Sequence, residues 1–91
     1  MRRIVWADEA LENLEAAGGY IRDFNPTAAQ RLIRRLVDAA ESLAIFPERG
    51  RAISLTRREL PVVKPYLIRY AVTPDEVQIL KIRHSARRPE A

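Results

Sequence analysis

The spacing of apolar positions divides the chain into two parts. Residues 9–24 follow the 3.6-residue period of an amphipathic helix, and residues 27–46 repeat it in a longer stripe. Beyond Pro47 the period falls to two, which is typical of half-buried strands. The predicted helical stripes are Leu11, Leu14, Gly18, Ile21 and Phe24, then Ala29, Leu32, Ile33, Leu36, Val37, Ala40, Leu43 and Ala44.

Polar residues and prolines mark the predicted ends of these helices. Asp8 is the expected N-cap of the first helix, and Asn25 is the expected N-cap of the second, with Pro26 in its first turn. Phe46-Pro47 is expected to end the second helix. Because so short a break joins them, the two helices are predicted to form an antiparallel hairpin.

Four segments have the composition of strands: residues 3–6, 57–63, 66–72 and 77–84. Pro61 favours an edge or a bulge in the second of them. A helical hairpin must bury its apolar stripe on a sheet. The sequence therefore predicts one two-layer α+β domain over residues 1–91, in the order β-α-α-β-β-β, with the hairpin on an antiparallel sheet and 85–91 as a flexible tail.

The turn at residues 73–76 fixes a register for the last two strands. It pairs Val72 with Val77, and strict alternation then places Tyr70 beside Ile79, Ile68 beside Lys81 and Tyr66 beside Arg83. The same alternation puts Arg69 and His84 on one face. Both faces are partly apolar, so the pattern leaves open which of them meets the helices.

Charge is distributed unevenly along the chain. Residues 1–48 carry a net charge of −2 and residues 49–91 carry +6, within a total of +4. A basic C-terminal half predicts an acidic partner, either nucleic acid or an acidic protein segment, and the alternative is a solvated basic surface. The chain has no cysteine and one histidine. We therefore expect no metal or other cofactor and a cytoplasmic location.

Several short motifs occur in a characteristic order. They are Ala7-x-x-Ala10-Leu11-x-x-Leu14, Asn25-Pro26-x-Ala28-Ala29, Phe46-Pro47-x-x-Gly50-Arg51, Pro65-Tyr66-Leu67-Ile68-Arg69-Tyr70 and Val77-x-Ile79-Leu80-x-Ile82-Arg83-His84-x-x-Arg87. Together they cover nearly the whole chain, and in this order they resemble the RelE/ParE superfamily of bacterial toxins. The last motif is similar to the end of its ParE-like branch.

This resemblance implies a type II toxin–antitoxin system. The toxin would pair with a cognate antitoxin that has a DNA-binding N-terminal module and an often acidic C-terminal segment wrapped around the toxin. ParE-like members bind DNA gyrase and trap its cleaved-DNA complex. RelE-like members cleave ribosome-bound mRNA.

Departures from the nuclease pattern favour the gyrase inhibitor. In RelE-like nucleases an arginine commonly follows the tyrosine of the central strand, whereas Leu67 follows Tyr66 here. We therefore assign no catalytic residue. One alternative is an mRNA endonuclease with a minimal acid–base site of Glu59, Arg69 and His84. Another is an inactive relative that only binds its antitoxin.

Two sets of basic residues are candidate contact sites. Each has a structural alternative, namely a solvated surface or, for Arg69, an ion pair with Glu59. The predicted target-binding residues are Arg69, Lys81, Arg83, His84, Arg87 and Arg88, and the predicted antitoxin-binding residues are Arg31, Arg34, Arg35, Arg49 and Arg51.

Overall fold

The computed structural model describes residues 1–85, so residues 86–91 of the predicted tail, with Arg87 and Arg88, lie outside the described residues. The predicted strands agree with the observed ones to within a residue, and the structure adds a short strand at Arg51–Ala52. The elements are β1 (Arg3–Trp6), α1 (Asp8–Arg22), α2 (Pro26–Ser42), a 3₁₀ turn (Pro47–Arg49), β2 (Arg51–Ala52), β3 (Arg57–Val63), β4 (Tyr66–Val72) and β5 (Glu76–His84).

The five strands form one sheet in the order β1-β5-β4-β3-β2. Strands β2 to β5 are antiparallel, and β1 lies at the edge, parallel to β5. The sheet is therefore mixed, because the helical hairpin carries the chain between β1 and the strands of the second half. The α+β class and the helical hairpin on a sheet are confirmed, whereas the predicted antiparallel pairing holds for β2 to β5 and not for β1.

A β-bulge changes the predicted register of β4 and β5. Val72 pairs with Val77 and Tyr70 with Ile79 as expected, but the register then shifts, so that Arg69 pairs with Lys81 and Leu80 is the extra residue. The predicted pairings of Ile68 with Lys81 and of Tyr66 with Arg83 are wrong. Ile68 pairs with Ile82, and Tyr66 pairs with His84. One inserted residue moves every later side chain of β5 to the other face.

One hydrophobic core joins the two layers. Its fully buried members include Leu36 and Leu43 of the helical layer and Ile68, Tyr70 and Ile79 of the sheet. Two residues of the predicted first stripe lie outside it, because Leu11 is 47% and Phe24 is 77% exposed. Alanines and a glycine supply the buried surface of α1 instead: Ala10, Ala17 and Gly18.

Small residues let the two helices approach closely. A Cβ atom added to Gly18 would lie 2.5 Å from Cδ1 of Ile33 on α2. The absence of a side chain at Gly18 therefore leaves room for Ile33. Helix α1 continues through Gly18 and Gly19.

The helix ends agree only in part with the prediction. Asn25 caps α2 as expected, its Oδ1 accepting a 3.1 Å hydrogen bond from the amide of Ala28. Asp8 is not a cap: Ala7 occupies that position, and Asp8 lies in the first turn, where its charge favours the helix dipole. Helix α2 ends at Ser42, before Phe46, because the next amides bond three residues back and tighten the final turn. Within residues 1–85, no helix is long and apolar enough to span a membrane.

Candidate binding site on the helix-free face of the sheet

The strands expose one face away from the helices, and charged residues line it. Leu60, Ile68 and Ile79 are buried on the helix side, so the residues that alternate with them point outward. The strand register places four outward residues in one row across β2 to β5: Arg51 opposite Glu59, Glu59 opposite Arg69, and Arg69 opposite Lys81.

Glu59 is the centre of this site. Glu59 is only 2% exposed, and its carboxylate contacts three guanidinium groups. Arg69 and Arg83 donate to Oε2 at 2.9 and 3.0 Å, and Arg51 approaches Oε1 at 3.5 Å. We call Arg51, Glu59, Arg69 and Arg83 the arginine cluster. With three cations on one anion, it keeps an excess of positive charge.

The surrounding cations lock Glu59 in its ionised form. Burial raises the pKa of its carboxyl, but the hydrogen bond from Arg69 and the charges of Arg83 and Arg69 outweigh that effect, and the net pKa lies below the ordinary value of 4.5. A carboxylate in this state is a weak proton acceptor. Within residues 1–85, no group of three or more His, Asp or Glu side chains could hold a metal ion.

His84 lies on the opposite face from the arginine cluster. The bulge places it beside Tyr66, with the two rings 5.3 Å apart, edge to face. Both rings line a hollow of about 370 Å³ between α1 and the sheet, together with Asn13 and Tyr20. The prediction that Arg69 and His84 share a face is therefore wrong, and the structure brings together only Glu59 and Arg69 of the three alternative catalytic residues.

A buried tyrosine holds the segment that precedes the cluster. The hydroxyl of Tyr70 donates to the carbonyl oxygen of Pro47 at 2.7 Å and accepts from the amide of Gly50 at 2.8 Å. Burial raises the pKa of this hydroxyl, so it stays protonated. The contact positions Arg51, which directly follows Gly50. Sequence reasoning missed this role, although the Phe46-Pro47-x-x-Gly50-Arg51 motif was its signal.

The predicted antitoxin-binding arginines fall into separate places. Arg31, Arg34 and Arg35 are exposed on α2, in the other layer from the arginine cluster. Arg49 donates to Oγ of Ser42 at 2.7 Å and so ties the 3₁₀ turn to the end of α2, while Arg51 belongs to the cluster.

Comparison with known proteins gives the family. The family model described as the ParE toxin of the type II toxin–antitoxin system parDE matches residues 4–89. The chain belongs to the ParE toxin family. The prediction of a RelE/ParE-type toxin is thereby confirmed.

Proteins described as toxins or putative toxins match the chain over most of its length. Toxin RelE2 of Caulobacter vibrioides is 53% identical over 96% of this chain and 99% of its own. Putative toxin Y4kP of Sinorhizobium fredii is 37% identical over 92% and 88%. Toxin RelE3 of Caulobacter vibrioides is 34% identical over 97% and 99%.

Solved structures share the fold of this ParE family member. The chromosomal ParDE system of P. aeruginosa matches with a TM-score of 0.81 at 22% identity, covering 92% of this chain and 96% of the other. The E. coli DinJ–YafQ complex matches with a TM-score of 0.54 at 14% identity over 94% and 96%.

Proposed function

We propose that this toxin acts by binding DNA gyrase and trapping its cleaved-DNA complex, and that it breaks no bond itself. The observation that carries the proposal is the state of Glu59, whose carboxylate is held by three guanidinium groups and has a lowered pKa. Such a site binds anions through its excess of positive charge. Gyrase and its DNA lie in the bacterial cytoplasm, so the toxin acts there.

RNA cleavage at the 2′-hydroxyl makes a different demand. It needs a base for that hydroxyl and an acid for the leaving oxygen. Glu59 is a poor base in its ion pairs, and His84, the one histidine of the sequence, is on the other face. The proposed target surface is therefore Arg69, Lys81 and Arg83 on the helix-free face, without His84. Arg87 and Arg88 remain predicted members outside the described residues.

We further propose a cognate antitoxin with a DNA-binding N-terminal module and an acidic C-terminal segment that wraps this toxin. Similar solved structures include a ParDE system and a complex of DinJ with YafQ, which supports an antitoxin partner. The exposed Arg31, Arg34 and Arg35 on α2 offer an acidic segment a basic helix surface outside the arginine cluster. Arg49 and Arg51 extend the proposed antitoxin contacts toward the sheet.

A ribosome-dependent mRNA endonuclease is the second candidate. The observation in its favour is that two relatives bear the names RelE2 and RelE3. Under this hypothesis Glu59, Arg69 and His84 would have to meet on one substrate. An inactive relative that only binds its antitoxin is the third candidate.

Induction of the toxin without its antitoxin distinguishes the three. We expect growth arrest with an early DNA-damage response while protein synthesis continues. Early loss of protein synthesis with cut mRNA would contradict the proposal and favour the endonuclease. Unimpaired growth of cells that accumulate folded toxin would favour the inactive relative.

A further inference from the structure

The row of charges on the helix-free face has a defined length. Arg51, Glu59, Arg69 and Lys81 lie opposite one another on four neighbouring strands. Three inter-strand spacings make the row about 14 Å long. A row of this length is long enough to reach more than one phosphate of a duplex backbone.

The charge of this row favours an anionic ligand. The side chain of Lys81 is 37% exposed at one end of the row, at the sheet edge, where its ammonium lies 3.6 Å from a carboxylate oxygen of Glu9 on α1. Arg51 is 73% exposed at the other end and makes the longest contact with Glu59. Both end cations therefore have free donor capacity toward solvent. Between them, Glu59 holds Arg69 and Arg83 in fixed positions at the surface of the sheet.

The kind of anion follows from what else the face presents. The outward strand residues around the row are aliphatic or polar, including Leu67, Ala71, Gln78 and Leu80, whereas Tyr66 and Tyr70 belong to the helix side. Within residues 1–85, no strand residue on this face is aromatic. Single-stranded nucleic acid is usually held by bases stacked on aromatic rings. A flat cationic row without rings fits the sugar–phosphate backbone of a duplex instead.

We infer that this row is a sequence-independent binding site for the phosphates of double-stranded DNA, with Arg51 and Lys81 as its outer contacts. Glu59 is a positioning residue that holds Arg69 and Arg83 toward the same backbone. The inference rests on the proposed action at a gyrase–DNA complex, and it names what the row contacts there.

Binding of the purified toxin to a fluorescein-labelled duplex of mixed sequence, measured by anisotropy over a range of salt concentrations, tests this site. The variant R51Q/K81Q removes the two outer cations, and R22Q/K64Q removes two exposed cations outside the row. Both variants lose the same charge, so the comparison isolates position. Each lost phosphate contact lowers the slope of log K against log salt by about 0.9, so R51Q/K81Q should lose about 1.8 of slope. R22Q/K64Q should keep the wild-type slope.

Three results would overturn the inference. The first is that the wild type fails to bind the duplex. The second is that both variants lose the same amount of slope of log K against log salt. The third is that, in a parallel titration, the wild type binds a peptide of alternating Glu and Ala and does not bind the duplex. Accumulation of cleaved DNA by gyrase is measured in a separate assay with the same toxin variants. Gyrase poisoning by a toxin that does not bind duplex removes this inference alone, and duplex binding without any effect on gyrase removes the proposed target alone.

Discussion

The hydroxyl of Tyr70 lies 2.7 Å from the carbonyl oxygen of Pro47, which is 23 residues earlier in the chain. The same hydroxyl accepts a hydrogen bond from the amide of Gly50, and the tyrosine is fully buried. One side chain of the central strand thus satisfies two backbone groups of the turn between the helical layer and β2. Because Arg51 follows this turn, the hydroxyl connects the core to the arginine cluster.

Replacing Tyr70 with Phe tests this connection. The ring stays in the core, but the carbonyl of Pro47 and the amide of Gly50 lose their buried partner. Each unsatisfied group costs about 1–3 kcal/mol, so the free energy of unfolding should fall by about 2–6 kcal/mol. Urea denaturation measures it. Tyr66→Phe is the matched control, since Tyr66 is half-buried and its ring contact with His84 does not need the hydroxyl. Equal loss in both variants would contradict the role of the Tyr70 hydroxyl.

Two glycines should respond in opposite directions to alanine. A Cβ at Gly50 would lie 2.7 Å from the Tyr70 hydroxyl and 2.8 Å from the carbonyl oxygen of Glu59, whereas a Cβ at Gly19 would meet nothing within 4 Å. Gly50→Ala should therefore destabilise the fold by about 1–3 kcal/mol. Gly19→Ala should stabilise it by up to about 1 kcal/mol, because alanine is the better helix former. Thermal unfolding measures the direction of the stability change in each variant. A stabilised Gly50→Ala would show that position 50 does not lie close to the Tyr70 hydroxyl.

The ion pairs of Glu59 predict an acid-sensitive stability. Because folding lowers the pKa of this carboxyl, its contribution is complete above the ordinary value of 4.5 and is lost as the pH falls through the lower folded value. Glu59→Gln should reduce stability at neutral pH, by roughly 3 kcal/mol if it behaves as a broken buried pair. It should also flatten the acid limb of a stability–pH curve. An acid limb of unchanged steepness in the variant would mean that other carboxyls cause it.

His84 and Arg69 should differ in their effect on toxicity. Arg69 belongs to the proposed target surface, while His84 lies under α1 on the other face. Induced Arg69→Gln should arrest growth much less than the wild type, and His84→Ala should still arrest it. Circular dichroism on both purified variants controls for folding. If His84→Ala abolished toxicity while antitoxin binding persisted, the endonuclease would become the better explanation.

The strands were predictable from sequence because their composition and period change sharply after Pro47. Residues 57–63 and 66–72 are strands to the residue, and Pro61 does lie at an irregularity of β3. The Asn25-Pro26 boundary was equally clear, since a capping amide and a first-turn proline point to the same helix start.

The side of the sheet on which His84 lies could not be predicted from the sequence, for a specific reason. Strict alternation put Leu80 and Lys81 on opposite faces, and because both faces are partly apolar, it did not identify Leu80 as the bulged residue. The position of the bulge depends on long-range pairing with β4. The ion pair of Glu59 with Arg69 was among the alternatives from sequence. The contacts with Arg51 and Arg83 were not, because these residues meet Glu59 only once four strands are aligned.

The most direct measurement of the central claim uses the purified toxin in two parallel reactions, one with gyrase and supercoiled plasmid and one with translating ribosomes and mRNA. A toxin that grips its target through the arginine cluster, without acid–base groups of its own, should make gyrase accumulate linear DNA and leave the mRNA intact. Intact plasmid beside cleaved mRNA would contradict that claim.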